Sequence, residues 1–174
     1  MRFQIANALF GLALAFAGAA CAASPAPPVR VDTAGEAAIA KAVDAERAKR
    51  ASRAPRLVID PMLVEIARTR SRDIANGAPF AHEDDKGRYP AIDMVTARFG
   101  PEGAIGENLF AAGGTGRAFD PEAYAKRAAE EWMASPEHRD NIVSPDYTST
   151  GIGVVVKGDA AYTTQIFRGP PSKR

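Results

Sequence analysis

The sequence predicts a fold of the α+β class, with helices along most of the chain and an antiparallel strand pair near its end. Asp-Pro pairs open two segments with helical periodicity, and two β-rich segments flank a Gly-Asp turn near the C-terminus. The composition is that of a globular domain, with 46% hydrophobic and 25% charged residues in 174. Helices followed by adjacent strands favour helices packed against a sheet.

The N-terminus has the pattern of a secretory signal peptide. Arg2 precedes an uncharged apolar block, residues 8–20, and small residues follow. That block is shorter than the about 20 residues that a transmembrane helix needs. We therefore interpret residues 1–23 as a signal peptide, 24–35 as a Pro/Ala-rich linker, 36–169 as one domain and 170–174 as a tail. We expect a secreted or periplasmic protein whose mature chain has no transmembrane segment.

Cys21 is the only cysteine, so the chain forms no internal disulfide. Two fates of Cys21 remain open: removal with the signal peptide, or lipidation as the first residue of a lipoprotein. The sequence Gly18-Ala19-Ala20-Cys21 is similar to a bacterial lipoprotein box, but Gly18 stands where leucine is usual. This difference favours simple secretion.

End signals and periodicity predict three helices. The first covers about residues 36–50. Asp60-Pro61 begins the second and Asn76-Gly77 ends it, and Asp120-Pro121 begins the third, which runs to about residue 134.

The sequence also predicts where individual side chains of these helices lie. We expect Arg70 to extend to solvent along the edge of the second helix. Tyr124, Ala128 and Trp132 form the buried face of the third. Ser135 is expected to cap a short fourth helix.

Strands are predicted at 105–111, 152–157 and 162–167, and Gly158-Asp159 is typical of a hairpin turn between the last two.

The chain has two histidines, His82 and His138, and one acid in an unusual position. In a strand, Glu107 faces the same side as Ile105 and Leu109, so a carboxylate interrupts an apolar row. A buried carboxylate needs a cation, a histidine, a metal or a solvent-filled cleft. Two imidazoles and one carboxylate are a ligand set for a divalent metal. From spacing alone, a shared site and three separate structural roles both remain open.

Three segments in this order carry a resemblance to a known family: Phe80-Ala81-His82, Gly106-Glu107-Asn108, and the run from Trp132 to Ile142 that contains Ser135-Pro136 and His138-Arg139. They resemble the bacterial branch of the CAP superfamily, named after cysteine-rich secretory proteins, antigen 5 and pathogenesis-related 1 proteins. The resemblance covers about residues 36–168.

The resemblance implies a three-layer α–β–α sandwich with a central antiparallel sheet and a cleft lined by two histidines and two acids. His82, Glu107 and His138 occupy three of these four positions, and Ser135 stands at the fourth. It implies that His82 and His138 hold a divalent metal, Zn or Ca. Glu131 lies one turn before Ser135, but its spacing from Arg127 predicts an exposed ion pair instead.

Two functions follow as expectations. The first is a secreted binding module for a divalent metal, for a small or lipid-like ligand, or for both. The alternative is a metal-assisted hydrolase of extracellular or cell-wall substrates, with Glu107 as the candidate proton acceptor. A third possibility is an envelope-interaction protein whose cleft is vestigial. The balanced charge argues against a nucleic-acid partner. Whether the protein is an enzyme stays open.

Overall fold

The structure, a computed structural model, describes residues 27–51, 53–114 and 116–171. The predicted signal peptide, the lipoprotein alternative at Cys21 and the first residues of the predicted linker lie outside these ranges.

The described residues form five helices and five strands. In chain order they are β1 (Val29–Val31), α1 (Thr33–Arg50), β2 (Val58–Ile59), α2 (Pro61–Ala75), α3 (Pro90–Phe99), β3 (Ile105–Ala112), α4 (Pro121–Ala134), α5 (Pro136–Val143), β4 (Ser149–Lys157) and β5 (Ala160–Arg168).

One sheet lies at the centre, with strands in the order β1-β4-β5-β3. Neighbours in that order are antiparallel, and β2 adds a short parallel pairing to β4. Helices α1, α4 and α5 pack on one face of the sheet, and α2 and α3 pack on the other. The architecture is therefore the predicted α–β–α sandwich.

The larger apolar core lies under α1, α4 and α5 and confirms the predicted inner face of α4. Trp132 is 1% exposed, and its indole N–H donates to the carbonyl of Leu109 at 2.9 Å. The ring of Tyr124 lies 4.9 Å from that of Phe110, centre to centre. These contacts hold α4 against β3.

The hairpin prediction is also confirmed. Lys157 pairs with Ala160 across a two-residue turn, and Gly158 takes a φ of +63° that suits glycine.

The folded domain begins earlier than residue 36. Val29–Val31, within the predicted linker, pairs with Val155–Lys157 of β4. The carboxylate of Asp32 accepts the N–H of Gly35 at 2.8 Å, so α1 starts at Thr33. The linker prediction is therefore wrong for these residues, because a three-residue strand is too short to show a hydrophobic period.

Ser135 does not cap α5 with its side chain. It lies between two helices, and its backbone serves both: its N–H donates to Glu131 and its carbonyl accepts from Arg139. Pro136 takes the first helical position of α5, where an N–H would have no partner within the helix.

Candidate functional site

The structure brings together the three residues that the sequence singles out. His82 lies in the loop after α2, Glu107 near the start of β3 and His138 in the first turn of α5. The two imidazole rings have centres 6.0 Å apart and are tilted by 59°. The Nδ1 atom of His82 lies 2.7 Å from Oε2 of Glu107.

These residues line a cavity of about 360 Å³ whose lining is part polar and part apolar. We call His82, Glu107, Glu137, His138 and Asn141 the polar wall, and Tyr89, Ala91, Ile92 and Ile105 the apolar wall. Tyr89 and Ile92 are 45% and 41% exposed, which is high for large apolar side chains. A cavity of this size with both polar and apolar lining residues can hold a small molecule.

Glu107 has a buried cation as its second partner. The guanidinium Nε of Arg70 lies 3.4 Å from Oε1 of Glu107, and the side chains are 3% and 7% exposed. The expectation that Arg70 extends to solvent is therefore wrong. Arg70 lies one turn beyond Ala67 on the face of α2 that packs against the sheet, where a buried carboxylate compensates its charge.

The two histidines have pKa values shifted in opposite directions. The hydrogen bond with Glu107 raises the pKa of His82, while partial burial and the nearby Arg70 oppose this. Burial, and then the neighbouring His82, lower the pKa of His138. In the neutral ring of His82, donation from Nδ1 to Glu107 leaves Nε2 as the free acceptor.

The raised pKa of His82 predicts a pH-dependent contribution to stability. A histidine whose folded pKa lies above its ordinary value of about 6.5 stabilises the fold fully below that value. The contribution is lost as pH rises through the folded pKa. We therefore expect the stability difference between the parent and His82→Gln to shrink from pH 5.5 to pH 8.5 in urea unfolding.

His138→Gln is the matched comparison, because a lowered pKa reverses the sign. Its stability difference from the parent should grow as pH rises from below 6.5, since the folded protein disfavours the charged ring. Equal pH dependence for the two variants would contradict the His82–Glu107 bond.

Helix α5 is held against β3 by two asparagines. Asn141 donates to Oδ1 of Asn108 at 2.9 Å, and Asn108 donates to the carbonyl of His138 at 3.1 Å. Gly106 permits this approach, because a Cβ there would lie 2.7 Å from Oδ1 of Asn141. This network fixes the first turn of α5, which carries His138.

Sequence reasoning missed Arg70, Asn141 and Glu137 as site residues. Asn108 and Asn141 both lie in the segments that carry the family resemblance, and this resemblance was the signal that could have identified them. Glu137 follows Pro136 and adjoins His138, and nothing in its spacing marked it. Glu131 pairs with Arg127 at 2.8 Å as an exposed pair, as expected.

Within residues 27–51, 53–114 and 116–171, no group of three or more His, Cys, Asp and Glu is arranged to hold a metal. None of the helices in the same residues combines the length and the hydrophobicity that a membrane span requires.

Comparison with known proteins gives one relative and several similar structures. YkwD of Bacillus subtilis, an uncharacterised protein, is 31% identical over 134 residues, which are 77% of this chain and 47% of YkwD. The chain thus spans about half the length of that relative.

An extracellular protein of Bacillus anthracis that contains an SCP domain superposes with a TM-score of 0.62, at 21% identity over 80% of this chain and 41% of the other. An outer surface protein of Borrelia burgdorferi gives 0.64, at 14% identity over 82% and 98%. NaASP2, solved with Zn²⁺, gives 0.56, at 12% identity over 79% and 80%. These similarities show the fold, and the two bacterial structures are of extracellular or surface proteins.

The family model described as the cysteine-rich secretory protein family, CAP, matches residues 22–167, which is most of the sequence. Together with the bacterial relative and the shared sandwich, this match shows that the chain belongs to the CAP family.

Proposed function

We propose that this protein is an extracytoplasmic binding domain whose cleft takes a divalent metal on His82 and His138, with a small organic ligand beside the metal. The observation that carries the proposal is the facing pair of imidazoles, 6.0 Å apart between ring centres, in a cavity with one apolar wall. The predicted signal peptide and the extracellular or surface location of similar proteins support a place outside the cytoplasm.

The distance between the rings allows a shared metal at a wide angle between the two ligating nitrogens. An imidazole nitrogen binds Zn²⁺ at about 2.1 Å and lies about 1.1 Å from its ring centre, so two ligating rings have centres at most about 6.4 Å apart. Glu107 would orient His82 through Nδ1 and leave Nε2 for the metal, as outer carboxylates do for metal-binding histidines. We assign Glu107 this orienting role, because its two oxygens already face His82 and Arg70.

A metal held by two protein ligands would keep other coordination positions for water or for a ligand. The apolar wall of Tyr89, Ile92 and Ile105 lines the same cavity and favours a ligand with an apolar part. A small or lipid-like molecule with an oxygen or nitrogen donor at one end would bind the metal through that donor. Its apolar part would pack against the apolar wall.

Thermal unfolding with and without Zn²⁺ tests the metal site. A ligand that binds only the folded form stabilises it by about 2.7 kcal/mol when its concentration is 100 times Kd. We expect Zn²⁺ to raise the Tm of the parent and to leave that of His82→Ala/His138→Ala unchanged. Zn²⁺ is the first probe because imidazole suits it and because the fold relative NaASP2 was solved with it.

Glu131→Gln is the matched control for this experiment. Glu131 is exposed and paired with Arg127, so its variant should keep the full response to Zn²⁺. A Tm increase of equal size in the double histidine variant would refute the site. Binding that does not weaken between pH 7.5 and pH 5.5 would also contradict ligation by neutral imidazoles.

One contact favours hydrolysis as the alternative function. The 2.7 Å pair of His82 and Glu107 has the form of an oriented general base. The cavity lining contains no serine, threonine or cysteine among the described residues, which favours water over a hydroxyl or thiol side chain as the nucleophile. Turnover of peptides or cell-wall fragments that disappears in both His82→Ala and Glu107→Gln would support it, and turnover retained in both would remove these residues from catalysis.

A further inference from the structure

We propose that Arg70 is a positioning residue for His82, which it holds by binding simultaneously the backbone before His82 and the carboxylate that contacts the His82 ring. The inference that Arg70 affects metal binding rests on the proposed function. The inference that Arg70 positions the imidazole of His82 does not.

Arg70 reaches the loop as well as the strand. Its Nη2 donates to the carbonyl of Ala81 at 2.5 Å, and its Nε faces Oε1 of Glu107 at 3.4 Å. Ala81 directly precedes His82, and Glu107 bonds to the His82 ring. One rigid guanidinium thus contacts both the backbone and the side-chain partner of the same residue.

The segment around His82 has few other anchors. Among the described residues, no backbone–backbone hydrogen bond involves residues 79–83, whereas Ala78 and Asp84 at its two ends are each bonded. The side chain of His82 is 46% exposed, so packing alone does not fix it. The bond from Arg70 to Ala81 is therefore the main polar anchor of this backbone in the described structure.

Arg70 itself has little freedom to move. It is 2% exposed and lies on α2, the helix that makes the most extensive contact with β4. Its Nε makes no hydrogen bond in the described structure, so the pair with Glu107 is held by charge and by placement. Because Arg70 is buried on a packed helix, its guanidinium restricts the motion of the exposed loop that contains Ala81 and His82.

Electrostatics and position predict opposite effects of removing Arg70, which makes the proposal testable. The charged groups facing His82 are Glu107, Arg70 and Glu137, and Arg70 alone lowers the pKa of His82 through its charge. If Arg70 acted only as a charge, its loss would raise that pKa further. If it acts by position, its loss weakens the His82–Glu107 bond and the pKa falls.

The experiment is ¹⁵N NMR of the imidazoles over a pH series, which is simple because the chain has only two histidines. His138→Ala assigns the signals. For Arg70→Met we expect the pKa of His82 to move down toward about 6.5 and its preference for the Nδ1–H form to weaken. Arg70→Lys, which keeps the charge but lacks the fork, should show most of the same loss and serves if Arg70→Met folds poorly.

Arg68→Met is the matched control. Arg68 lies on the same helix and makes its own two-bonded ion pair with Glu36, at 2.7 and 2.6 Å, away from the cleft. It should leave the His82 signals unchanged.

The proposal would be overturned if the pKa and the tautomer preference of His82 were unchanged in Arg70→Met, or if that pKa rose. Full recovery of both in Arg70→Lys would also overturn it. Zn²⁺ titration gives the second readout, with an expected loss of about tenfold in affinity for Arg70→Met. If the parent binds no Zn²⁺, the proposed metal function fails while the imidazole signals still decide the role of Arg70.

Discussion

Replacing Gly151 by alanine is expected to destabilise the protein by about 3 kcal/mol or more, because α2 lies directly on this residue. A Cβ at Gly151 would stand 2.1 Å from the carbonyl carbon of Leu63 and 2.3 Å from the nitrogen of Val64. Both are backbone atoms of α2, so no side-chain rotation relieves the collision. Either the helix moves off the sheet or the strand bends.

Gly153 repeats the contact one turn along α2, where a Cβ would lie 2.3 Å from the nitrogen of Arg68. The two glycines therefore set the distance between α2 and β4. Because α2 carries Arg70, Gly151→Ala should also disturb the buried pair with Glu107 in the protein that still folds.

Gly114→Ala is the control for Gly151→Ala, because it measures the cost of replacing a glycine where no helix packs against it. Gly114 has a φ of +76° and no atom within 4 Å of its would-be Cβ, so only backbone strain is expected. That strain costs about 1–2 kcal/mol. Urea unfolding of the three proteins measures the difference, and equal losses in the two variants would contradict the close packing of α2.

The parts of the fold that the sequence predicts are those with local chemical signals. The carboxylate of Asp60 accepts the N–H of Met62 at 2.8 Å, as an acid before a helix-initial proline should. Helix α3 has no such signal, since Tyr89 precedes it without a side-chain cap and it has only 10 residues. Strand β2 has two residues, too few for alternation to show.

The candidate site, like the fold, could be predicted from the sequence only in part. That a buried Glu107 needs a partner follows from its place in an apolar strand row, and the structure supplies two, the buried Arg70 and the half-exposed His82. The identity of Arg70 as one of them does not follow, because long basic side chains on a helix usually reach solvent. The convergence of His82 and His138 came from the family resemblance, because nothing in their spacing relates a loop after α2 to the start of α5.

The position of α5, and so of His138, depends on a second buried arginine that the sequence analysis did not single out. Arg47 of α1 is 3% exposed and donates to the carbonyls of Pro55, Ile142, Ser144 and Tyr147, at 2.9, 2.6, 2.9 and 3.0 Å in that order. Ile142 and Ser144 lie at the C-terminal end of α5, where the helix dipole favours a cation. Burial lowers the pKa of Arg47, but an arginine remains protonated.

Arg47→Met is expected to lower the free energy of unfolding by about 3–5 kcal/mol, since each buried carbonyl left without a donor costs about 1–3 kcal/mol and some relaxation follows. Arg47→Lys should recover little, because one ammonium group cannot serve four carbonyls at once.

Arg50→Met is the comparison on the same helix. Arg50 is exposed and pairs with Glu46 at 3.1 Å, so its loss should change stability by less than about 0.5 kcal/mol in urea unfolding. A loss for Arg47→Met as small as that for Arg50→Met would mean that α5 is held by its apolar contacts and by Asn141 alone. A large loss makes α1 a support of the cleft, since the same guanidinium that holds the end of α5 limits how far His138 can move from His82.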